Sequence, residues 1–274
     1  MQTQNQEQTE QEHSNPNQLG ERELFWTAVM FYTRLRVPTN ITYSTQALNK
    51  SRKYFPLIGI LIGAIGVITF LVCQLFLSNI ISIALSMVAT ILATGAFHED
   101  GFADSCDGLI GGWEAKEMLK IMKDSRIGSY ATIGLICLLG IKFLSLVELS
   151  QASFNILVFS YIAAHTVSRL ASSLVIERYA YVQDIDQSKV KPITDAGLSS
   201  PDLHQTLIIS AVPIIILAFV AFIPTLLSLL ACFVVAKLFA NYSEKRIGGY
   251  TGDILGAIQQ LSEVTFYLAF LALI

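Results

Sequence analysis

Long apolar runs separated by short breaks dominate the chain from residue 57 to its end. A transmembrane helix needs about 20 predominantly apolar residues, and most of these runs reach that length. The pattern predicts an all-α, polytopic membrane bundle of about seven transmembrane helices, with six as the alternative count. The predicted spans are 57–78, 79–97, 129–149, 154–176, 206–223, 225–240 and 254–274.

The segment before the first run has two parts. Residues 1–20 are crowded with Gln, Glu and Asn, which predicts a disordered polar tail because such a segment cannot bury apolar surface. Residues 21–274 are then expected to form a single membrane-embedded domain. Within it, Leu24–Val37 is apolar and aromatic but too short to cross a bilayer, so it predicts an interfacial helix.

Composition supports a membrane protein and excludes one class of partner. Hydrophobic residues make up 53% of the 274-residue chain and charged residues only 14%, whereas soluble domains average about 25% charged residues. The net charge of −3 gives no basis for nucleic-acid binding.

The basic residues predict an orientation. Of the 18 Lys and Arg residues, all but Lys142 and Arg169 lie in the N-terminal segment or in and beside the loops 98–128, 177–205 and 241–253. The short connections near residues 78, 151 and 224 contain none. With seven spans, the N-terminus and these loops share one side, which the positive-inside rule makes cytoplasmic.

An acidic motif follows the second apolar run. Asp100, Asp104 and Asp107 are spaced i, i+4 and i+7, so on a helix they project within roughly 60° of arc. Each acid costs about 2.5–3.5 kcal/mol at the centre of a membrane helix, which favours a cation that offsets the charge. Mg²⁺ takes oxygen ligands and leaves positions open for substrate phosphates. The motif therefore predicts a magnesium and phosphate site.

A glycine-rich segment precedes the last apolar run. Gly248, Gly249 and Gly252, which flank Thr251, permit close approach of the backbone to a ligand. Asp253 is the first residue before the apolar run. Helix capping and metal binding are about equally good explanations of Asp253 by itself. Its neighbours, and its predicted location on the same side as the acidic motif, favour a functional role.

Basic residues follow the acidic motif. Lys123 and Arg126 are suited to phosphate oxygens, Arg as a bidentate fork and Lys as a point charge. For Lys116 and Lys120, contact with anionic lipid headgroups is the favoured explanation.

Several of these segments together resemble the cobalamin synthase family, the adenosylcobinamide-GDP ribazoletransferases of bacteria and archaea. The segments that carry the resemblance are HEDGFADSCDGL at 98–109, IMKDSRIGSYATIG at 121–134, GGYTGDILGAIQQLSE at 248–263, and the opening FYTRLRVP and YFPLIGILIGAIG. The resemblance runs from residue 24 to the end of the chain.

The resemblance implies a phosphotransfer in a bacterial inner membrane. The family joins adenosylcobinamide-GDP to α-ribazole or its phosphate and releases GMP, with Mg²⁺. It implies one or two magnesium ions held by Asp100, Asp104, Asp107 and Asp253. Asp104 and Asp100 are the candidate catalytic residues, and Lys123, Arg126, Thr251 and Gly252 are the candidate substrate-binding residues. A homo-oligomer and an association with other cobalamin-pathway enzymes are both compatible with the sequence, which does not determine the oligomeric state.

Two other functions remain open at this stage. A membrane phosphotransferase of the CDP-alcohol type also uses an Asp-rich helix, although the aspartate spacing fits that pattern poorly. An ion-coupled transporter would also carry intramembrane acids, usually near the bilayer midplane. Here the acids collect at the predicted helix ends among basic residues, which favours phosphate chemistry.

Overall fold

The computed structural model describes residues 20–39, 41, 44–182 and 197–274. The predicted tail, residues 1–20, lies outside this part of the chain except for Gly20. The described residues form α-helices and one short 3₁₀ turn, Arg52–Tyr54. The α-helices are α1 Glu21–Tyr32, α2 Thr45–Ser51, α3 Phe55–Gln74, α4 Asn79–Thr94, α5 Phe97–Gly111, α6 Ala115–Met122, α7 Ser129–Ala152, α8 Phe154–Ile176, α9 Ser200–Val220, α10 Phe222–Ile247 and α11 Gly252–Leu271.

The all-α membrane bundle is confirmed, and the candidate spans number five to six, against the seven predicted and the alternative count of six. Among the described residues, five helical stretches are long and apolar enough to cross a membrane, and the bent pair of α4 and α5 would make a sixth. The five stretches are Thr45–Gln74, Ser129–Ala152, Ser200–Val220, Phe222–Ile247 and Gly252–Leu271. Helix α8 is 23 residues long but falls outside this group.

Helix α8 forms the centre of the bundle, where it packs against α3, α11 and α9. Its buried face carries His165 and Arg169 together with several serines, which lowers its mean hydropathy. Helix α3 approaches it closely because Gly59 and Gly63 face its backbone. The polarity of α8 therefore has a structural reason: this helix is surrounded by protein rather than by lipid.

A sharp corner separates the apolar helix α4 from the helix that carries the acidic motif. Gly95 (φ 68°) and Ala96 (φ 58°) both adopt the left-handed conformation, and the axes of α4 and α5 differ by 87°. The backbone N–H of Arg34, just after α1, donates to the carbonyl of Ala93 at 2.8 Å and braces the corner. Helix α5 therefore does not extend the span but turns away from its axis.

Contacts between helix ends bring the polar segments together at one end of the bundle. Arg246, at the end of α10, donates to the carbonyls of Leu109 and Gly112 at the end of α5. Lys53 pairs with Asp202 at the start of α9 at 2.9 Å. This agrees with the prediction that the N-terminal segment and the long polar loops share a side.

Candidate active site

Helices α5 and α11 cross almost backbone to backbone beside the acidic motif. A methyl group on Gly101 would lie 3.0 Å from both the Cα and the carbonyl oxygen of Asp253. One on Gly256 would lie 3.1 Å from the carbonyl oxygen of His98. Because no side chain separates the helices here, Asp253 comes within electrostatic range of Asp100 and Asp104. The crossing thus joins two motifs that are about 150 positions apart in the chain.

The three carboxylates differ in exposure. Asp100 is exposed, whereas Asp104 and Asp253 are half-buried. Lys123, at the end of α6, is exposed and lies within electrostatic range of Asp253. Like charges brought together at a partly buried site repel one another, so the arrangement favours a cationic ligand or a bridging cation.

Asp107 has a different set of partners. Its two carboxylate oxygens accept the backbone N–H groups of Gly128 at 2.6 Å and Ala131 at 2.9 Å. These groups lie at the start of α7, so Asp107 caps that helix from another element and complements its dipole. In the structure, therefore, this aspartate orients α7, and its predicted role as a metal ligand stays a prediction.

The acidic residues suit magnesium by the type of atom they offer, although they do not surround a single point. Nowhere in residues 20–39, 41, 44–182 and 197–274 do three His, Cys, Asp or Glu side chains converge on one point in metal-binding geometry. Asp100, Asp104 and Asp253 nevertheless offer only carboxylate oxygens, the ligands that Mg²⁺ prefers. Mg²⁺ is commonly held by one or two carboxylates plus substrate phosphates, so an open group of acids suits it.

The structure separates the two predicted phosphate-binding residues. Arg126 is 86% exposed and donates from Nε and Nη2 to its neighbour Asp124. This ion pair lowers the pKa of Asp124 to about 2. The pair lies at the edge of an open cleft of ≈ 480 Å³ between α5 and the start of α7, which Asp107 and Gly128 also line. Only Lys123 is brought near Asp253.

Thr251 and Gly252 form the start of α11, directly before Asp253. The Thr251 hydroxyl accepts the backbone N–H of Ile254 at 3.3 Å and is therefore the N-cap of α11. Thr251 supplies the cap, and the Asp253 carboxyl, which also hydrogen-bonds to Thr251, lies in the first turn of α11, where its charge suits the helix dipole. Gly252 is exposed and faces open space, so its backbone is accessible to a ligand.

Comparison with known proteins shows the family to which the chain belongs. The family model of cobalamin-5-phosphate synthase matches residues 24–271. The chain belongs to this family. Adenosylcobinamide-GDP ribazoletransferases of Shewanella frigidimarina and Vibrio cholerae are 43% and 42% identical to it, over 91% of the chain and 94% of each relative. That of Shewanella amazonensis is 40% identical, over 92% of the chain and 96% of the relative. No solved structure matches.

A buried polar network lies behind the α5–α11 crossing, and the sequence did not predict it. Glu263 on α11 accepts from Lys142 on α7 at 2.5 Å and lies 3.3 Å from Nε2 of His165. Gln259 donates to the other oxygen of Glu263 at 2.7 Å, and Gln260 donates to Glu99 at 2.9 Å. The signal was present in the sequence, because ionisable residues inside an apolar run require partners.

Arg169 belongs to the same interior, and among the described residues it forms no ion pair with an aspartate. Its Nη1 donates to the carbonyl of His165 at 2.8 Å, and its guanidinium lies 5.7 Å from the centre of the Phe55 ring. It is 1% exposed. Arg169 is therefore held inside the bundle by its own helix turn and an aromatic face, and the guanidinium does not reach the bundle surface.

Proposed function

We propose that this chain is an adenosylcobinamide-GDP ribazoletransferase, the enzyme of the nucleotide-loop joining step in cobalamin biosynthesis. Its substrates are adenosylcobinamide-GDP and α-ribazole or α-ribazole phosphate, and its products are GMP and adenosylcobalamin or its phosphate. The α5–α11 crossing carries the proposal, since it brings Asp253 beside Asp100 and Asp104. The names of the relatives identify the reaction for which this acidic site is used.

The proposed chemistry is a displacement at phosphorus. A ribose hydroxyl oxygen of ribazole bonds to the phosphorus atom that carries the cobinamide, the bond from that phosphorus to the bridging oxygen breaks, and GMP leaves. Asp104 accepts the hydroxyl proton, because it is more enclosed than Asp100 and lies between its acidic neighbours. Most of the remaining work is positioning, as in other phosphoryl transfers.

The basic residues and the backbone bind the phosphates. Lys123 acts as a point charge near Asp253, and the exposed backbone at Gly252 approaches the diphosphate. Arg126 reaches the substrate when its guanidinium exchanges Asp124 for a phosphate. When bound, magnesium neutralises charge on the phosphate oxygens. Asp100, Asp104 and Asp253 are the residues that would hold it.

The site is proposed to face the cytoplasm from the bacterial inner membrane. The concentration of Lys and Arg in the segments that gather around it supports this orientation through the positive-inside rule. Partner enzymes of the same pathway, or a second copy of the chain, would approach from that side.

The test is GMP release by detergent-purified protein supplied with adenosylcobinamide-GDP and α-ribazole. We expect wild-type turnover that needs Mg²⁺ and is abolished by chelation. Asp104→Asn should lose about 10²-fold or more of the activity, the usual contribution of a positioned base. The matched control is Glu244→Gln, which removes an exposed acid of α10 outside the site and should keep wild-type activity.

Two outcomes would contradict the proposal. Folded wild-type protein that releases no GMP would argue against the reaction, and CDP-alcohol substrates would then be assayed next. Turnover that Asp104→Asn leaves unchanged would argue against this site while leaving the reaction intact.

A further inference from the structure

A second recess lies between α8 and α10. It has a volume of ≈ 160 Å³, and its walls are mostly apolar. The apolar lining residues are Ala171, Leu174 and Val175 from α8, and Phe233 and Ala236 from α10. Small residues on both helices leave a groove where larger ones would close the gap between them.

Two cationic side chains line the same groove. Arg178 follows the end of α8, and Lys237 lies on α10; both are exposed. Neither has a carboxylate within ion-pair distance in the part of the chain that the structure describes. Lys237 is ten residues before the end of α10 but lines the same groove as Arg178, so it lies at the level where α8 ends. Two cations this close together at the end of a membrane helix favour an anionic partner.

The neighbouring residues determine what can enter. The Tyr179 hydroxyl donates to Asn241 at 2.5 Å and links the two helices beside the groove. On α10 the residues next to Lys237 form an exposed apolar stripe, with Leu230 at 59%, Val234 at 46% and Leu238 at 62% exposure. In a membrane protein such a stripe contacts acyl chains, so the groove opens toward lipid.

We propose that this groove binds an anionic phospholipid. An acyl chain lies along the apolar walls, and the phosphate is held between Arg178 and Lys237. The combination of apolar walls with two cations matches the amphiphilic shape of such a lipid, and basic pockets between membrane helices are suited to anionic headgroups. The site is distinct from the acidic crossing, because the groove lies between α8 and α10 and has no aspartate in its lining.

Bound lipid would stabilise the end of the bundle that carries the acidic crossing. Ala171, Val175 and Ala236 belong to the same core cluster as Ile254 and Ile258 of α11. A chain that fills the groove adds contacts on the outer side of this cluster. The expected result is a higher unfolding temperature when anionic lipid is present, which can be measured independently of catalysis.

The experiment compares lipid-dependent thermal unfolding of purified protein in neutral detergent. Phosphatidylglycerol, phosphatidylcholine and inorganic phosphate are added separately, and retained lipid is counted by native mass spectrometry. We expect phosphatidylglycerol to raise the unfolding temperature. In the variant Arg178→Gln/Lys237→Gln its apparent affinity should fall about 10-fold or more. The control Arg22→Gln/Lys245→Gln removes two exposed basic residues outside the groove and should behave as wild type.

A second variant guards against a folding defect in the first. Leu174→Trp fills the groove from a half-buried lining position of α8 without changing charge and should also reduce lipid retention. Equal effects of phosphatidylcholine and phosphatidylglycerol would overturn the proposal, as would an equal effect of inorganic phosphate. So would loss of the effect in the control variant, since basic residues outside the groove would then account for the lipid binding.

Discussion

At the scale of single residues, the buried charges of the bundle depend on one another. Glu263 is fully buried and has Lys142, His165 and Gln259 around its carboxylate. Lys142 is equally buried, at 1% exposure. A buried pair of this kind adds little net stability over apolar residues, but removal of one partner leaves an uncompensated charge.

Lys142→Met should therefore destabilise the protein by about 3–5 kcal/mol, the usual cost of breaking a buried ion pair. The double variant Lys142→Met/Glu263→Met should recover part of that loss, because neither member of the pair remains alone, whereas Arg169 loses the attraction of Glu263. Thermal or denaturant unfolding in detergent measures both. The control is Lys120→Met, an exposed change on α6. If the single variant were as stable as this control, the pair would not be buried as described.

A partly exposed cluster near the N-terminus predicts a pH effect. Lys53 and the Tyr54 hydroxyl donate to Glu21, and these hydrogen bonds lower the pKa of the Glu21 carboxyl. A lowered pKa in the folded state gives stability that is present above the ordinary glutamate value of about 4.3 and is lost as pH falls through the folded-state value.

Wild type and Glu21→Gln should accordingly differ most in unfolding temperature near neutral pH and converge in acid. The effect should be small, because the Glu21 side chain is 64% exposed and solvent screens its ion pair. A difference that stayed constant from pH 7 to well below the glutamate pKa would contradict this explanation.

At the scale of elements, the crossing of α5 and α11 determines where the aspartates meet. The backbone of Asp253 lies where a side chain on Gly101 would have to go. A bulkier residue there must push the helices apart, and the change is transmitted directly to Asp100 and Asp253. Helix α5 can take this course because the corner at Gly95 and Ala96 redirects the chain.

Gly101→Ala should reduce GMP release about 10-fold or more, since displacement of a catalytic group by about 1 Å can cost 10²-fold. Gly140→Ala is the matched control, because it makes the same change within α7 at a position with open space. It should keep full activity and gain up to about 1 kcal/mol of helix stability. Equal activity of the two variants would show that the close crossing is not needed.

At the scale of the whole molecule, the bent pair α4–α5 determines how many times the chain crosses the membrane. Helix α4 has 16 residues, fewer than the approximately 20 that a straight span requires. The pair can either cross as one broken span or return to the side it came from. The positive-inside pattern favours a crossing, because the connection at residue 78 lacks basic residues whereas the 98–128 loop has four.

Single cysteines in a background without the four native cysteines test this topology. We expect a membrane-impermeant maleimide to label Lys116→Cys only in inside-out vesicles and Ser78→Cys only in intact cells. Glu244→Cys should follow Lys116→Cys and serves as the reference for the cytoplasmic side. Labelling of residues 78 and 116 from the same side would mean that α4 and α5 re-enter.

The sequence by itself determined the fold class, the family and the acidic face of the helix that carries Asp100 and Asp104. Apolar runs of spanning length lead to a helical membrane bundle because the backbone must satisfy its own hydrogen bonds in lipid. The spacing of Asp100, Asp104 and Asp107 was sufficient to predict an acidic helix face, because helix periodicity is local. The glycines of the 248–252 segment likewise marked the approach to Asp253.

Only the tertiary structure decided which of these residues meet and which do not. It brought Asp253 to Asp104, used Asp107 to cap α7, paired Arg126 with Asp124, and connected Glu263 to Lys142. None of these contacts follows from local periodicity. They depend on the angle at which helices cross and on where small residues permit close approach, and both are properties of helix pairs that are distant in the chain.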